Sequence, residues 1–220
     1  MMNVDSEQAT YVDILRHGEC EGGRIFRGLT DVSLAPHGLE KMHSVCVAAE
    51  QDWELIIGSP LKRCRYFAEQ MAAQRGVDLL IDERLREIHF GQWDGRDVDT
   101  IWQQDYARIS AWIDDPDQNT PPQGEALSAV QQRARAVYHD IAEQHQGKKI
   151  LLVTHGGLIR VLLGTLLGMP LRMVNTFDVP YACLSRFALF HSAHGMKTKL
   201  LAHNYQMNAD DFFKPSVRST

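Results

Sequence analysis

Residues 149–167 read KILLVTHGGLIRVLLGTLL, and the fold turns on how this stretch divides. Lys149 to Thr154 is the most strand-like segment in the chain, a short apolar run that stops at His155-Gly156-Gly157. From Gly156 to Leu167 the pattern is helical. Strand, glycine turn and helix in succession are the unit of a parallel α/β sheet, and the chain repeats that unit outward from here. Upstream, Thr10 to Leu15 reads as a buried strand running into Arg16-His17-Gly18-Glu19. A helix follows over Pro36 to Glu50, with Leu39, Met42, Val45 and Ala49 on one face. Leu55-Ile56-Ile57 is a second strand and Val77 to Ile81 a third. Between them Ser59, as N-cap, and Pro60, at the first helical position, start a helix to Gln74. A long helix runs from about Glu125 to His145, with Gly147 as its terminating glycine. Phe187 to Phe190 and Lys197 to Ala202 close the set as strands. The expected fold is α/β, a three-layer α/β/α sandwich around a mostly parallel sheet, in one domain over residues 1–208. Ala209 to Thr220 reads as a poorly ordered tail, and Asp114 to Gly124 as a solvated connection or a flap over a site.

Composition narrows what such a fold can do. The 220 residues are 44% hydrophobic and 23% charged, so disorder is excluded as a description of the whole chain. Against 28 acids stand 23 Lys plus Arg, a formal charge of −5 with the 10 histidines neutral. No broad basic surface grips nucleic acid or anionic lipid, so an anionic ligand must be caught locally. Met1 to Thr10 lacks the apolar core of a signal peptide, and the best apolar run, Leu158 to Leu171, is short and contains Arg160. Cys20, Cys46, Cys64 and Cys183 are scattered without a CxxC pair and read as free thiols of a cytoplasmic protein.

In parallel α/β sheets ligands sit beyond the carboxyl ends of the strands, and three strand ends here carry unusual residues. Lys62, Arg63 and Arg65 fall in the first turns of a helix, where cations oppose the macrodipole at roughly 0.3–1 kcal/mol each. They form either a surface cluster that tolerates this cost or a site where an anion meets the helix start. Arg16-His17-Gly18 is sharper, since an arginine precedes the histidine and a glycine follows it. Thr154-His155-Gly156-Gly157 repeats that design at another strand end. Two arginines and a helix start can bind a phosphate and neutralise charge during its transfer. A neutral imidazole is a competent nucleophile toward phosphorus, and nearby guanidinium groups keep it unprotonated. The leaving alkoxide then needs a proton, for which Glu87, among Ile88, Phe90 and Trp93, is a candidate whose apolar surroundings could raise its pKa, the alternative being a solvent-exposed acid beside core aromatics.

Other chemistries lack their parts. A cysteine phosphatase needs Arg six residues after its Cys, but position 26 is Phe and position 70 is Gln. There is no GxxxxGK[ST], GxGxxG, GxSxG or HExxH. The histidines show no tight ligand spacing, so no metal or other cofactor is expected.

LRHGE at 15–19, SPLKR at 59–63, REIHFGQWDG at 86–95 and VTHGG at 153–157 together resemble the histidine phosphatase (phosphoglycerate mutase-like) superfamily, over roughly Tyr11 to His203. The resemblance implies the phosphoglycerate mutase-like fold and a metal-independent phosphohistidine mechanism on a small phosphomonoester. By position, His17 is the implied nucleophile, Arg16, Arg63 and His155 the implied phosphate pocket, and Glu87 the implied proton donor. Glu19, Arg27 and Asn204 are further candidates for substrate contact, with an ordinary turn as the alternative for Asn204. Softer features resemble the α-ribazole phosphate phosphatases of cobalamin biosynthesis: ECEGGRIFRGLTDVSL at 19–34, RLREIHFGQWDGR at 84–96, PPQGEA at 121–126 and FDVPYACLSRF at 177–187. Three positions depart from common family residues: Cys20 for Thr, Gly23 for a phosphate-contacting Asn, and Ala126 for Ser. The alternatives are a broad sugar or nucleotide phosphatase, a mutase, or a phosphate-binding module without turnover; Glu87 argues against the last, since binding alone needs no proton donor.

Overall fold

The computed structural model describes residues 9–49, 51–192 and 195–204. The stretch that opened the sequence divides as expected, into strand β4 (Lys149–Thr154) and helix α6 (Gly156–Leu166), numbered in chain order with the elements below. The other strands are β1 (Thr10–Arg16), β2 (Leu55–Gly58), β3 (Asp78–Ile81), β5 (Leu184–Ser192) and β6 (Gly195–Ala202). They form one sheet in the order β3-β2-β4-β1-β5-β6. The pairs β1–β4, β2–β3 and β2–β4 are parallel, and the closing strand β5 runs antiparallel to its neighbours β1 and β6.

Period-two patterning sorts the central strands between two cores. Val12, Ile14, Leu55, Ile57, Ile150 and Leu152 face one core, completed by helices α5 (Leu127–Gln144) and α6. The intervening Leu15, Ile56, Leu151 and Val153 face the other, against α1 (Pro36–Ala48) and α2 (Lys62–Arg75). This is the expected α/β/α sandwich. One polar residue interrupts the second core: Asp13, 2% exposed, pairs with Arg186 across the β1–β5 register and accepts a bond from Trp53 Nε1 at 2.9 Å.

Several expected boundaries move, β5 extending to both sides of the expected Phe187 to Phe190, and two of the shifts have a plain physical reason. Helix α2 starts at Lys62, because Ser59 does not cap it; the Ser59 hydroxyl is bonded to His155 Nε2 at 2.7 Å. The Lys62 N–H is capped instead from a distant loop, by Asp31 Oδ1 at 2.8 Å. Helix α5 stops at Gln144, and Gly147, at φ 76°, lies beyond the turn and donates its N–H to Thr10 Oγ1. Two helices had no clear sequence signal, α3 (Val98–Gln104) and α4 (Tyr106–Asp114). Residues 209–220, expected as a tail, and Glu50 lie outside the described residues. Among the described residues no helix is long and apolar enough to cross a membrane.

Candidate active site

Register brings the two histidines together. Arg16 and Thr154 are partners on adjacent parallel strands, so the next residues, His17 and His155, leave the sheet side by side. Their ring centroids lie 5.3 Å apart. Gly58 pairs with Val153 on the other side of β4, which places Ser59 beside His155.

The hydrogen bonds fix the state of each ring. His17 Nδ1 lies 2.7 Å from the Gly18 carbonyl, which can only accept, so the proton is on Nδ1 and Nε2 carries a free lone pair. His155 is the mirror case. Arg63 Nε donates to its Nδ1 at 3.1 Å, so His155 donates from Nε2 to the Ser59 hydroxyl. Burial, then Arg63 and Arg16, push the His17 pKa well below its ordinary 6.5. Burial, then Arg63, does the same to His155. Both imidazoles are therefore neutral near pH 7, as expected for His17 from the sequence.

The three arginines divide the work. Arg63 is fully buried, and four of its five N–H groups are taken: by His155 and by the carbonyls of Thr30, Arg27 and Gly28. It stands behind the site with His155, bracing the 27–30 loop, and neither residue lines the cleft. Arg16 and Arg27 do line it. Each has a buried Nε with no protein partner. An unpaired buried donor is costly, so these two N–H groups mark where an anion would be received.

Glu87 faces the same cleft. Its Oε1 accepts from the N–H groups of Ile88 (3.0 Å) and Leu158 (2.9 Å), and its Oε2 from Gly157 (3.0 Å). The carboxylate thus caps the start of α6, whose own N-cap side chain, His155, is engaged elsewhere. The apolar setting expected around Glu87 covers one side only; three backbone donors hold the other. Both glycines after His155 are required here. A Cβ at Gly156 would meet Arg16 Nε at 2.9 Å, and one at Gly157 would meet Glu87 Oε1 at 2.7 Å.

Above this polar floor the cleft, about 340 Å³, is walled by Ile25, Phe26, Phe90, Val98, Trp112 and Val174 among others. Pro116, from the stretch read as a connection or flap, also lines it. Tyr181 was missed by the sequence reading: its ring lies 4.2 Å from the Arg16 guanidinium carbon and tilts over His17. Nothing in its local sequence distinguishes it from a loop tyrosine. Two of the softer candidates lie elsewhere. Glu19 is exposed and pairs with His37 Nε2 at 2.8 Å, and Asn204 sits in a turn at φ 51° away from the cleft walls. Cys20, at a position that departs from the family pattern, is buried with its sulfur 3.5 Å from His17 Nδ1. Burial pushes its thiol upward, so it is a neutral neighbour of the ring.

A family model described as the histidine phosphatase superfamily (branch 1) matches residues 12–201. The chain is 27% identical over 175 residues to the adenosylcobalamin/alpha-ribazole phosphatase of Escherichia coli (strain K12), covering 78% of this chain and 86% of that one. It is 31% identical over 162 residues to a protein of Escherichia fergusonii named "Probable phosphoglycerate mutase GpmB", covering 72% and 75%. Among solved structures, a mycobacterial glucosyl-3-phosphoglycerate phosphatase superposes with a TM-score of 0.80 at 25% identity, over 90% of this chain and all of that one.

Proposed function

Because this chain belongs to the histidine phosphatase superfamily (branch 1), we propose that it is a metal-independent phosphomonoesterase working through a phosphohistidine at His17. The observation that carries this reading is the His17 tautomer. The Gly18 carbonyl holds the proton on Nδ1, so Nε2 is the attacking atom. In the first step an Nε2–P bond forms and the P–O bond to the leaving group breaks. Arg16 and Arg27 receive the phosphoryl oxygens, with the buried Arg63 guanidinium adding its positive charge from behind the cleft, while Glu87 protonates the leaving oxygen. In the second step water attacks phosphorus, the N–P bond breaks, and Glu87 takes the water proton. A module that only binds phosphate needs no proton donor, and Glu87, besides capping α6, lines the same cleft as His17.

The leaving group we propose is that of α-ribazole phosphate. Phe26, Phe90 and Trp112 pack edge to face around the cleft, a wall suited to a flat apolar base. One observation favours a second reading. Arg160 lines the cleft 3.8 Å from the exposed Asp178 and could receive a carboxylate, as in a phosphoglycerate.

Two measurements test this. Acid-labile, base-stable label from a phosphate ester should appear on His17, with turnover persisting in EDTA; near-normal hydrolysis by His17→Ala overturns the mechanism. The ratio of kcat/KM for α-ribazole phosphate to that for sugar phosphates, nucleotides and 3-phosphoglycerate tests the substrate. A preference for 3-phosphoglycerate, or dependence on a bisphosphate primer, hands the assignment to the second reading.

A further inference from the structure

The backbone that carries Glu87 has almost no regular structure of its own. Between the 3-10 turns Glu83–Leu85 and Gly91–Trp93 the chain is irregular, yet the carbonyls from Arg84 to Glu87 are all held by side chains from elsewhere. Arg133, on α5, spends every guanidinium N–H on this task. One terminal nitrogen donates to the carbonyls of Arg84 and Arg86, both at 2.6 Å. The other donates to the Glu87 carbonyl (3.2 Å) and to Glu125 Oε2 (3.0 Å), and Nε donates to Glu125 Oε1 (2.8 Å). Glu125 in turn grips the far side of Glu87: Oε2 accepts from the His89 N–H, and its own N–H donates to the His89 carbonyl at 2.8 Å. The remaining carbonyl, of Leu85, is bonded by Thr154 Oγ1 at 2.7 Å. Four consecutive carbonyls, 84 to 87, are therefore fixed from β4 and α5.

The pair is nearly sealed from solvent, with side-chain exposures of 10% and 14%. A buried ion pair is poor value as a source of stability, because its desolvation cost offsets most of the attraction. What it does supply is geometry. The bidentate carboxylate–guanidinium fork is rigid and aims the remaining N–H groups in fixed directions. We propose that Glu125 and Arg133 are positioning residues for proton transfer, holding the Glu87 carboxylate where the leaving oxygen departs. This rests on reading Glu87 as the proton donor. Neither residue lines the cleft, so they act through Glu87 and not on the phosphate.

Leaving-group dependence reads the difference between positioning and mere support. An alkoxide needs the donated proton, whereas dinitrophenolate leaves without it. With the full-length protein, kcat/KM is measured on glycerol phosphate and on 2,4-dinitrophenyl phosphate for Arg133→Lys and the milder Glu125→Gln, beside Glu87→Gln. A misplaced general acid is expected to cost on the order of 10- to 100-fold on glycerol phosphate, and no more than about 3-fold on the activated ester, where proton donation contributes little. Arg133→Lys added to Glu87→Gln should cost nothing further on either ester. Equal losses on both esters in the two positioning variants, or no loss on either, overturn the proposal while Glu87→Gln remains selective. If Glu87→Gln itself loses equally on both, the proton-donor reading falls, and the positioning role with it. Thermal melts of Glu125→Gln guard against unfolding, since glutamine keeps the shape and still accepts from Arg133.

Discussion

A methyl group on Gly157 would stand 2.7 Å from Glu87 Oε1 and 2.8 Å from Ile88 Cδ1. Neither atom can retreat freely, because the Glu87 carboxylate is tied to three backbone N–H groups and Ile88 is buried. Gly157→Ala should therefore fold but shift the carboxylate, lowering kcat/KM for an alkyl phosphate by roughly 10- to 100-fold. Steady-state kinetics beside a melting curve check this, and unchanged kinetics would show that the carboxylate has slack. Glycines also explain why residues at this scale were legible in the sequence. His17, Arg16 and His155 stood out because glycines beside them admit close approach, a local signal. Arg27 was named but its orphaned Nε was not, and Tyr181 appeared only within the 177–187 stretch, with no role of its own. Their importance comes from neighbours 154 and more residues away, as in the Tyr181–Arg27 contact.

At the scale of elements, the strands and the four long helices followed from apolar periodicity, and α1 and α6 start at Pro36 and Gly156 as read, while the starts of α2 and α5 did not follow. Both α2 and α5 begin without a local side-chain cap. Ser59 looked like a cap by composition, but its hydroxyl was claimed by a histidine 96 residues later, and Asp31 does the capping from another loop. Tertiary partners of this kind leave no trace in local spacing. Helices α3 and α4 escaped because they are short: each sends one isoleucine, Ile101 or Ile109, fully into the main core, while Trp102 and Trp112 are only partly buried against it. At the start of α5 the N-cap is Ala126, extended at φ −65° and ψ 141° and exposed, with no side-chain acceptor for the free N–H groups. Ala126→Ser supplies that acceptor and should add about 0.5–2 kcal/mol of stability. For a chain of this size that is a rise in Tm of a few degrees, readable by calorimetry. A lowered Tm would mean that the serine hydroxyl competes with the Glu125 contacts beside it.

For the whole molecule, the buried histidines set the response to acid. His17 and His155 both have pKa values well below the ordinary 6.5 in the folded chain, chiefly through burial. Unfolded, they bind protons from about pH 6.5 downward, so the unfolded state takes up more protons and stability falls as pH falls through that range. The slope is up to about 1.4 kcal/mol per pH unit for each ring. Asp82 and Asp97 titrate lower, being depressed below their ordinary 3.8, and so do not contribute to this window. Denaturant titrations from pH 7.5 to 5.5 should show the decline, and His17→Gln should lessen its slope while His155 keeps the rest; a level profile would mean that both rings are charged in the folded protein.

The cleft has one further consequence. Its floor is written at strand ends and α6, in residues such as 16–17 and 156–157, whereas Val98, Trp112 and Pro116 on its wall come from the single stretch between Asp97 and Pro121. From Pro121 onward the chain is stitched to the Glu87 segment, since Gln92 donates to the Pro122 carbonyl and Glu125 to that of His89. Inheritance can therefore act on these three wall residues apart from the floor, while Phe26 and Phe90 stay in the segments that carry Arg27 and Glu87. Substitutions within 98–120 can drift and re-select the alcohol that is released, while the reacting atoms stay under one unchanging constraint.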